Sequence, residues 1–227
     1  MSETRNMPDL GPLAALKQFV RRPQSTEHVS CELCSGELAP DHQHLLELGK
    51  RNVVCACDAC AVLFSNQVAP RFRRIPRRIR MLRDFSLEEH QWESLLIPIS
   101  LAFFFHSSSA GRVLAYYPSP AGPTESLLDL EYWEQIADRN PVLKRMEPDV
   151  EALLVNRVGI TPEYYIAPID QCYRLVGLIR KHWRGLSGGK EVWKEIDLFF
   201  SELIRTGVPH PSRREGAPVN TAEGRSA

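Results

Sequence analysis

The sequence predicts an α+β fold in which a small cysteine-based module precedes an antiparallel sheet covered by C-terminal helices. Three observations support this prediction. Five of the six cysteines lie between residues 31 and 60. Apolar runs of strand length, separated by turn-forming residues, follow in the middle of the chain. Two amphipathic segments of helical period come after them.

Composition and charge limit the classes of protein to which the chain can belong. The 227 residues include 28 basic and 28 acidic side chains, so the molecule as a whole has no field that attracts nucleic acid or membranes. The longest apolar run, LLIPISLAFFF, is about half the length of a bilayer span and contains a proline. The first residues show no apolar segment of the kind found in export signals. We therefore expect a cytoplasmic protein with no membrane insertion.

Four segments are predicted from changes in composition. Leu13, Leu16 and Phe19 recur at helical spacing, which predicts an N-terminal helix and linker over residues 1–27. A cysteine module over 28–66 and an α+β domain over 67–207 follow. Residues 208–227 are rich in Pro, Gly, Arg and Ser and are expected to be a disordered tail.

Within the predicted α+β domain, the first helix is expected to begin at a capping box formed by Ser86 and Glu89. The segments LLIPISLAFFFHS and GRVLAYYPS predict two strands joined by the turn SSSAG. A helix around Trp133 and Ile136 comes next, and VEALLVNRV and EYYIAPI predict two further strands.

The last two helices are expected to cover the sheet. Asp170 is predicted to cap the first of them, and RGLSGGK is predicted to be the turn between the two, with glycines at the reversal. The predicted buried faces of these helices consist of Cys172, Leu175, Val176, Ile179 and Trp183, and of Val192, Trp193, Ile196, Phe199, Phe200 and Leu203.

The cysteine pattern predicts an N-terminal four-cysteine zinc ribbon. In CELCSG, two cysteines separated by two residues precede Gly36, which can take the left-handed conformation that directs backbone amides at the sulfurs. A second pair occurs in CDAC, and the segment between the pairs can form a small hairpin. Clustering at this spacing without an export signal favours a metal over disulfides. The expected ligands of Zn²⁺ are Cys31, Cys34, Cys57 and Cys60.

Cys55 is the cysteine that this assignment leaves over. It points to the same side of a strand as Cys57, so strand direction alone does not exclude it as a ligand. It can be a small buried apolar residue, or an exchanging thiol in a carrier of a metal or of an Fe-S cluster. Iron or an Fe-S cluster is the alternative occupant, because iron sites are also built from cysteines.

The segment DHQH between the two cysteine pairs raises another alternative. The order of a cysteine pair, D-H-x-H and a second cysteine pair resembles the ββα-metal nucleases, which implies a histidine base at a scissile phosphate. His42 and His44 would be the residues concerned. The sequence departs from that pattern at Ala61, where asparagine is usual, and it lacks the glycine expected after the histidines.

Seven arginines lie between Arg71 and Arg83. They could neutralise phosphates of nucleic acid, or they could pair with carboxylates of this chain or of an acidic protein partner, and the zero net charge favours pairing with carboxylates. The candidate binding residues among them are Arg73, Arg74, Arg77 and Arg78.

A proline-stiffened loop, YPSPAGPTES, is a further candidate. It carries polar groups at the end of an apolar strand, where binding sites are common, although such a loop also serves simply to turn the chain. Its candidate residues are Ser119, Thr124 and Glu125.

The motifs CELC, HLLEL, CACDACAVLF, IPISLAFFF, YYPSPAGPTES, PDVEALLV and PIDQCYRLVGLIRKHWRGLSGG together resemble an uncharacterised bacterial family. That family is associated with gene clusters of actinobacterial-type, high-affinity uptake NiFe hydrogenases. The resemblance implies an accessory protein that binds a hydrogenase subunit or a maturation factor and is not itself an enzyme. Asp170 and Arg174 would then belong to a contact face on one helix.

Overall fold

The structure is a computed structural model that describes residues 29–68, 70–126, 130–185 and 187–210. The predicted N-terminal helix and residues 211–227 of the predicted tail lie outside these ranges.

A three-stranded antiparallel sheet forms the first part of the fold. Its strands are β1 (Gln43–Glu47), β2 (Asn52–Ala56) and β3 (Phe72–Arg74), in the order β2-β1-β3. Helix α1 (Asp58–Ser65) follows β2 directly. The sequence prediction ended this module at residue 66, but Phe72 packs into its core beside Leu45, so β3 of the arginine-rich stretch also belongs to it.

A seven-stranded sheet forms the second part. Its order is β10-β4-β9-β8-β5-β6-β7, and every pairing is antiparallel except that of β10 with β4. The strands are β4 (Arg80–Met81), β5 (Leu101–Ser107), β6 (Arg112–Ser119), β7 (Gly122–Ser126), β8 (Glu151–Asn156), β9 (Glu163–Pro168) and β10 (Val208–Pro209).

Helices cover both faces of this sheet. They are α2 (Glu89–Ser94), α3 (Leu130–Arg139), a short 3-10 helix (Leu143–Arg145), α4 (Ile169–His182) and α5 (Gly189–Thr206). Because side chains alternate along a strand, Phe103 faces α4 and α5, whereas its neighbour Phe104 faces α2 and α3. The central strands are therefore apolar at nearly every position.

The predicted α+β class is confirmed: antiparallel sheets and helices are combined, and the four cysteines near the start of the described chain lie close together. The predicted hairpin is formed by β5 and β6, and the predicted strands around residues 151 and 163 are β8 and β9.

Two segments expected to be irregular are strands. The proline-rich loop turns back as β7, which pairs with β6 and places Pro123 opposite Pro118. The residues at the start of the expected tail form β10, because the amide of Val208 donates to the carbonyl of Ile79 and that of His210 to Met81. Both outer strands of the large sheet thus contain a proline.

Helix starts also differ in detail from the prediction. The capping box of α2 uses Glu88 and Gln91 and not Ser86 and Glu89, so the helix starts later than predicted. Asp170 lies in the first turn of α4, whose N-cap is Pro168. On α5 the predicted inward face is buried except for Trp193, which is 39% exposed.

The β1–β2 hairpin lies between the two parts of the molecule. Leu45 faces the core around the cysteines, whereas Leu46 belongs to the core that α4 and α5 share with the large sheet. At the hairpin turn, Arg51 donates to the hydroxyl of Tyr116 at 2.8 Å and to the hydroxyl of Ser107 at 3.1 Å. The hairpin therefore presents one face to the cysteine site and the other to the α+β domain.

Candidate metal centre

The four predicted ligands come together at one end of the small sheet. The sulfur atoms of Cys31, Cys34, Cys57 and Cys60 all lie within 4.8 Å of one another. The sulfurs of Cys34 and Cys57 are 3.8 Å apart. A tetrahedral ion with metal–sulfur bonds of about 2.3 Å would separate its ligands by about 3.8 Å, so this pair already has the required spacing. The cluster could therefore hold one metal ion.

The first cysteine pair lies in a tight turn. The amide of Cys31 donates to the carbonyl of Gly36, and the amide of Ser35 donates to the carbonyl of Cys31, both at 2.7 Å. The left-handed residue is Ser35, with a φ of 61°, and not Gly36 as the sequence suggested.

The second cysteine pair begins helix α1. Cys57 is the N-cap residue, and its sulfur accepts the amide of Cys60 at 3.5 Å. The prediction placed this pair in a knuckle that follows a ribbon strand, and the helix was missed because AVLF fits either a strand or a helix over so short a span. A helix N-terminus is suited to thiolates, since its free amides and dipole stabilise negative charge.

The thiols in this cluster perturb one another. Burial alone would raise the pKa of Cys31, but hydrogen bonds from the amides of Cys57, Leu33 and Cys34 outweigh it and lower that pKa to about 6. Burial and the neighbouring thiols raise the pKa of Cys60 to about 12. The negative charges of neighbouring thiolates repel one another. A divalent cation among the sulfurs would offset this repulsion, so the cluster has the electrostatic setting that metal ligation requires.

Cys55 does not belong to this group of sulfurs. It lies opposite His44 in the β1–β2 pairing and joins His42 and His44 in a second cluster whose donor atoms all lie within 4.8 Å of one another. Its amide donates to the carboxylate of Glu32 at 2.7 Å. Burial and this carboxylate raise the pKa of the Cys55 thiol.

Most of the arginine run contacts groups of this chain. Arg80 donates to both carboxylate oxygens of Glu151 at 2.9 Å, and hydrogen bonds from Arg71 hold the pKa of Glu47 below its usual range. The candidate binding residues also contact this chain. Arg73 pairs with Asp149 and donates to the carbonyl of Pro148, and Arg74 donates to the side chain of Gln43. Arg77 pairs with Asp41 and donates to the carbonyl of His42. Arg78 is exposed. These contacts favour pairing within the chain over nucleic-acid binding.

The candidate residues of the proline-rich segment bond mainly to one another. The hydroxyl of Ser119 donates to the carbonyl of Gly122 and accepts from the hydroxyl of Thr124, while Glu125 pairs with Arg112. On α4, Arg174 pairs with Glu202 of α5. These contacts stabilise a hairpin and a helix pair, and they bring none of these residues to the cysteines.

Three residues make contacts at the β1–β2 hairpin that were not foreseen from the sequence. Asp170 was predicted to cap α4 and to belong to a contact face on that helix, yet its Oδ2 lies 2.7 Å from Nδ1 of His44, across 126 residues of chain. Glu32 and Arg51 were not singled out at all. No local pattern could have revealed these contacts, because each depends on how the hairpin packs.

Within the described ranges, no helix is long and apolar enough to cross a membrane. No curated protein and no solved structure matches this chain. A family model does match, over residues 30–207, and its description is a family of unknown function, DUF5947. Because this match spans far more than half of the 227 residues, the chain belongs to DUF5947.

Proposed function

We propose that the protein is a zinc-binding accessory protein that acts by protein–protein contact in the assembly of a NiFe hydrogenase. The observation that carries the proposal is the group of four sulfurs within 4.8 Å of one another, which would fill the tetrahedral shell of a zinc ion and leave no position for a substrate. Such sites stabilise structure and do not catalyse. The hydrogenase context rests on the resemblance of the sequence alone.

The surface beside the cysteines supports a binding role. Val62 and Leu63 follow the ligand Cys60 on α1 and are 57% and 65% exposed. Both side chains are therefore available to a partner, on a helix that the metal would hold in place. Arg73 and Arg74, with Val62 and Glu147, line an adjacent polar cleft of about 320 Å³.

The metal part of the proposal is tested by metal content and absorption of protein purified without oxygen. We expect a colourless protein in which Cys31→Ser or Cys60→Ser lowers the zinc content by one ion per chain. Since cysteine ligation also suits iron, a visible charge-transfer band with bound iron and sulfide would contradict zinc and favour a carrier of an Fe-S cluster.

The binding part is tested by co-purification with hydrogenase subunits and maturation factors. We expect the double variant Val62→Asp, Leu63→Asp to lose the partner and to keep its zinc. Ile160→Asp is the matched control, because Ile160 is fully exposed and lies far along the chain from α1. Loss of the partner in both variants, or in neither, would contradict a contact through α1.

A further inference from the structure

We propose that His42, His44 and Cys55 form a second metal site, on the face of the β1–β2 hairpin that points away from the four cysteines. The site would take a divalent transition ion of borderline softness, such as Zn²⁺, and would leave one coordination position open. This inference goes beyond the proposed accessory function and does not depend on it.

The placement of the three residues follows from strand geometry. His44 and Cys55 are directly opposed in the antiparallel pairing, and His42, which precedes β1, lies in one group of donor atoms with them. The two imidazole rings are 5.0 Å apart at an angle of 73°. A tetrahedral ion would bring the donors to about 3.4 to 3.6 Å from one another, somewhat closer than the 4.8 Å within which they all lie here.

The hydrogen bond of His42 fixes which of its nitrogens is free. Nδ1 lies 2.8 Å from the carbonyl oxygen of Ala39, and because a carbonyl can only accept, Nδ1 carries the hydrogen. In the neutral ring the lone pair is then on Nε2. That atom is buried and has no hydrogen-bond partner. A buried nitrogen lone pair without a donor is costly, and a metal ion would satisfy it.

His44 is oriented by a carboxylate. Its Nδ1 lies 2.7 Å from Oδ2 of Asp170, while Oδ1 of the same carboxylate accepts the amide of Gln171. In the neutral ring this arrangement places the hydrogen on Nδ1 and leaves Nε2 as the nitrogen that can bind a metal. Metal-binding histidines commonly have such a partner, which fixes the ring and increases its basicity. Asp170 is therefore a positioning residue for the second site.

The donor set indicates the class of ion. Two imidazoles and one thiolate suit zinc, cobalt and nickel, and they do not suit magnesium or calcium, which require oxygen ligands. Three protein ligands leave a fourth position, and the side chain of His44 is 33% exposed, so water or a ligand group of a partner can reach the ion. Such a site exchanges its metal more readily than a closed four-cysteine site.

The test is a metal titration of the full-length, reduced chain under anaerobic conditions, using Co²⁺ and Zn²⁺ as probes. We expect the wild type to bind two equivalents. His42→Ala, His44→Ala and Cys55→Ser should each bind one, while the control His106→Ala, in which an exposed histidine outside the cluster is changed, should bind two. The second Co²⁺ should add a weak sulfur-to-metal charge-transfer band that is missing in Cys55→Ser.

The role of Asp170 is tested separately with Asp170→Asn, which keeps the size of the side chain. We expect the second equivalent to bind about 10- to 100-fold more weakly and the first to be unaffected. Nitrogen-15 spectra of the wild-type histidines should show the hydrogen on Nδ1 of both rings and a shift of both Nε2 resonances on adding Zn²⁺. These spectra decide the question even if a variant fails to fold.

If the chain binds only one Co²⁺ and its spectrum is that of four thiolate ligands, the second site is overturned and the proposed function stands. If the chain binds only one Co²⁺, and Cys55→Ser abolishes a spectrum that shows one thiolate ligand, the second site is supported and the four-cysteine centre is overturned. A second equivalent that persists in all three variants, or Nε2 resonances that Zn²⁺ does not move, would also overturn the second site.

Discussion

The side chains of Arg80 and Glu151 form the most deeply buried ion pair among the described residues, 12% and 2% exposed. Glu151 also accepts the amide of Glu147 at 3.0 Å. Removing one partner of such a pair leaves the other charged and buried, which costs much more than the pair itself contributes.

We therefore expect Arg80→Met to lower the free energy of unfolding by about 3 to 5 kcal/mol, measured by urea denaturation. Arg112→Met is the matched control, since Arg112 pairs with Glu125 at the surface, where both side chains are about 40% exposed. It should cost less than about 1 kcal/mol. Equal effects of the two substitutions would mean that burial does not determine the strength of the Arg80 pair.

At the scale of the elements, one glycine of the turn between α4 and α5 is needed for two separate reasons. Gly188 has a φ of 85°, and a Cβ built there would lie 2.8 Å from Val192 and 3.1 Å from the ring of Trp183. The turn therefore needs glycine both for its backbone conformation and for the space that the tryptophan ring occupies.

Three glycine-to-alanine variants separate these causes by thermal or urea unfolding. Gly188→Ala should destabilise the protein by about 2 to 4 kcal/mol, because strain and overpacking add. Gly185→Ala, at a φ of 63° but in open space, should cost about 1 kcal/mol. Gly177→Ala, on the exposed side of α4, should stabilise by about 0.5 to 1 kcal/mol. If Gly188→Ala cost no more than Gly185→Ala, the packing argument would fail.

The elements that the sequence predicted are those whose periodicity is strong and local. The β5–β6 hairpin has apolar runs on both sides of a turn, and α5 places Ile196, Phe199 and Leu203 on one face. By contrast, β3 and β10 have three and two residues, too few to show a period. Each of them is a strand only because its backbone forms hydrogen bonds with another strand that is distant in the sequence.

The same distinction holds for the two clusters. C-x-x-C spacing encodes the four-cysteine group within the sequence itself, so its members could be predicted, although the helix that carries Cys60 could not. The pairing of His44 with Asp170 depends on packing the hairpin against α4, and no local pattern contains that information.

At the scale of the whole molecule, the hairpin couples the cysteine centre to the large core. Leu46 is buried in the core shared with α4 and α5, and Val53 packs against it. Any loss of order in the hairpin therefore removes apolar contacts from both parts of the fold.

We expect a strong chelator to lower the melting temperature of the whole molecule in a single transition. The fluorescence of Trp92 and Trp133, on the opposite face of the large sheet, should change together with the helical circular dichroism. In Cys60→Ser the chelator should have a much smaller effect. A separate early transition that leaves tryptophan fluorescence unchanged would show that the cysteine module melts on its own.

The prolines in the two outer strands of the large sheet determine how another protein can dock there. Pro123 in β7 and Pro209 in β10 have no amide hydrogen to offer to an added strand, and their rings obstruct its approach. Extending this sheet by β-augmentation with a partner's peptide is therefore disfavoured at both edges. Recognition at these two edges is therefore expected to use side-chain surfaces, and the same feature protects the large sheet, which is rich in apolar strands, from edge-to-edge aggregation.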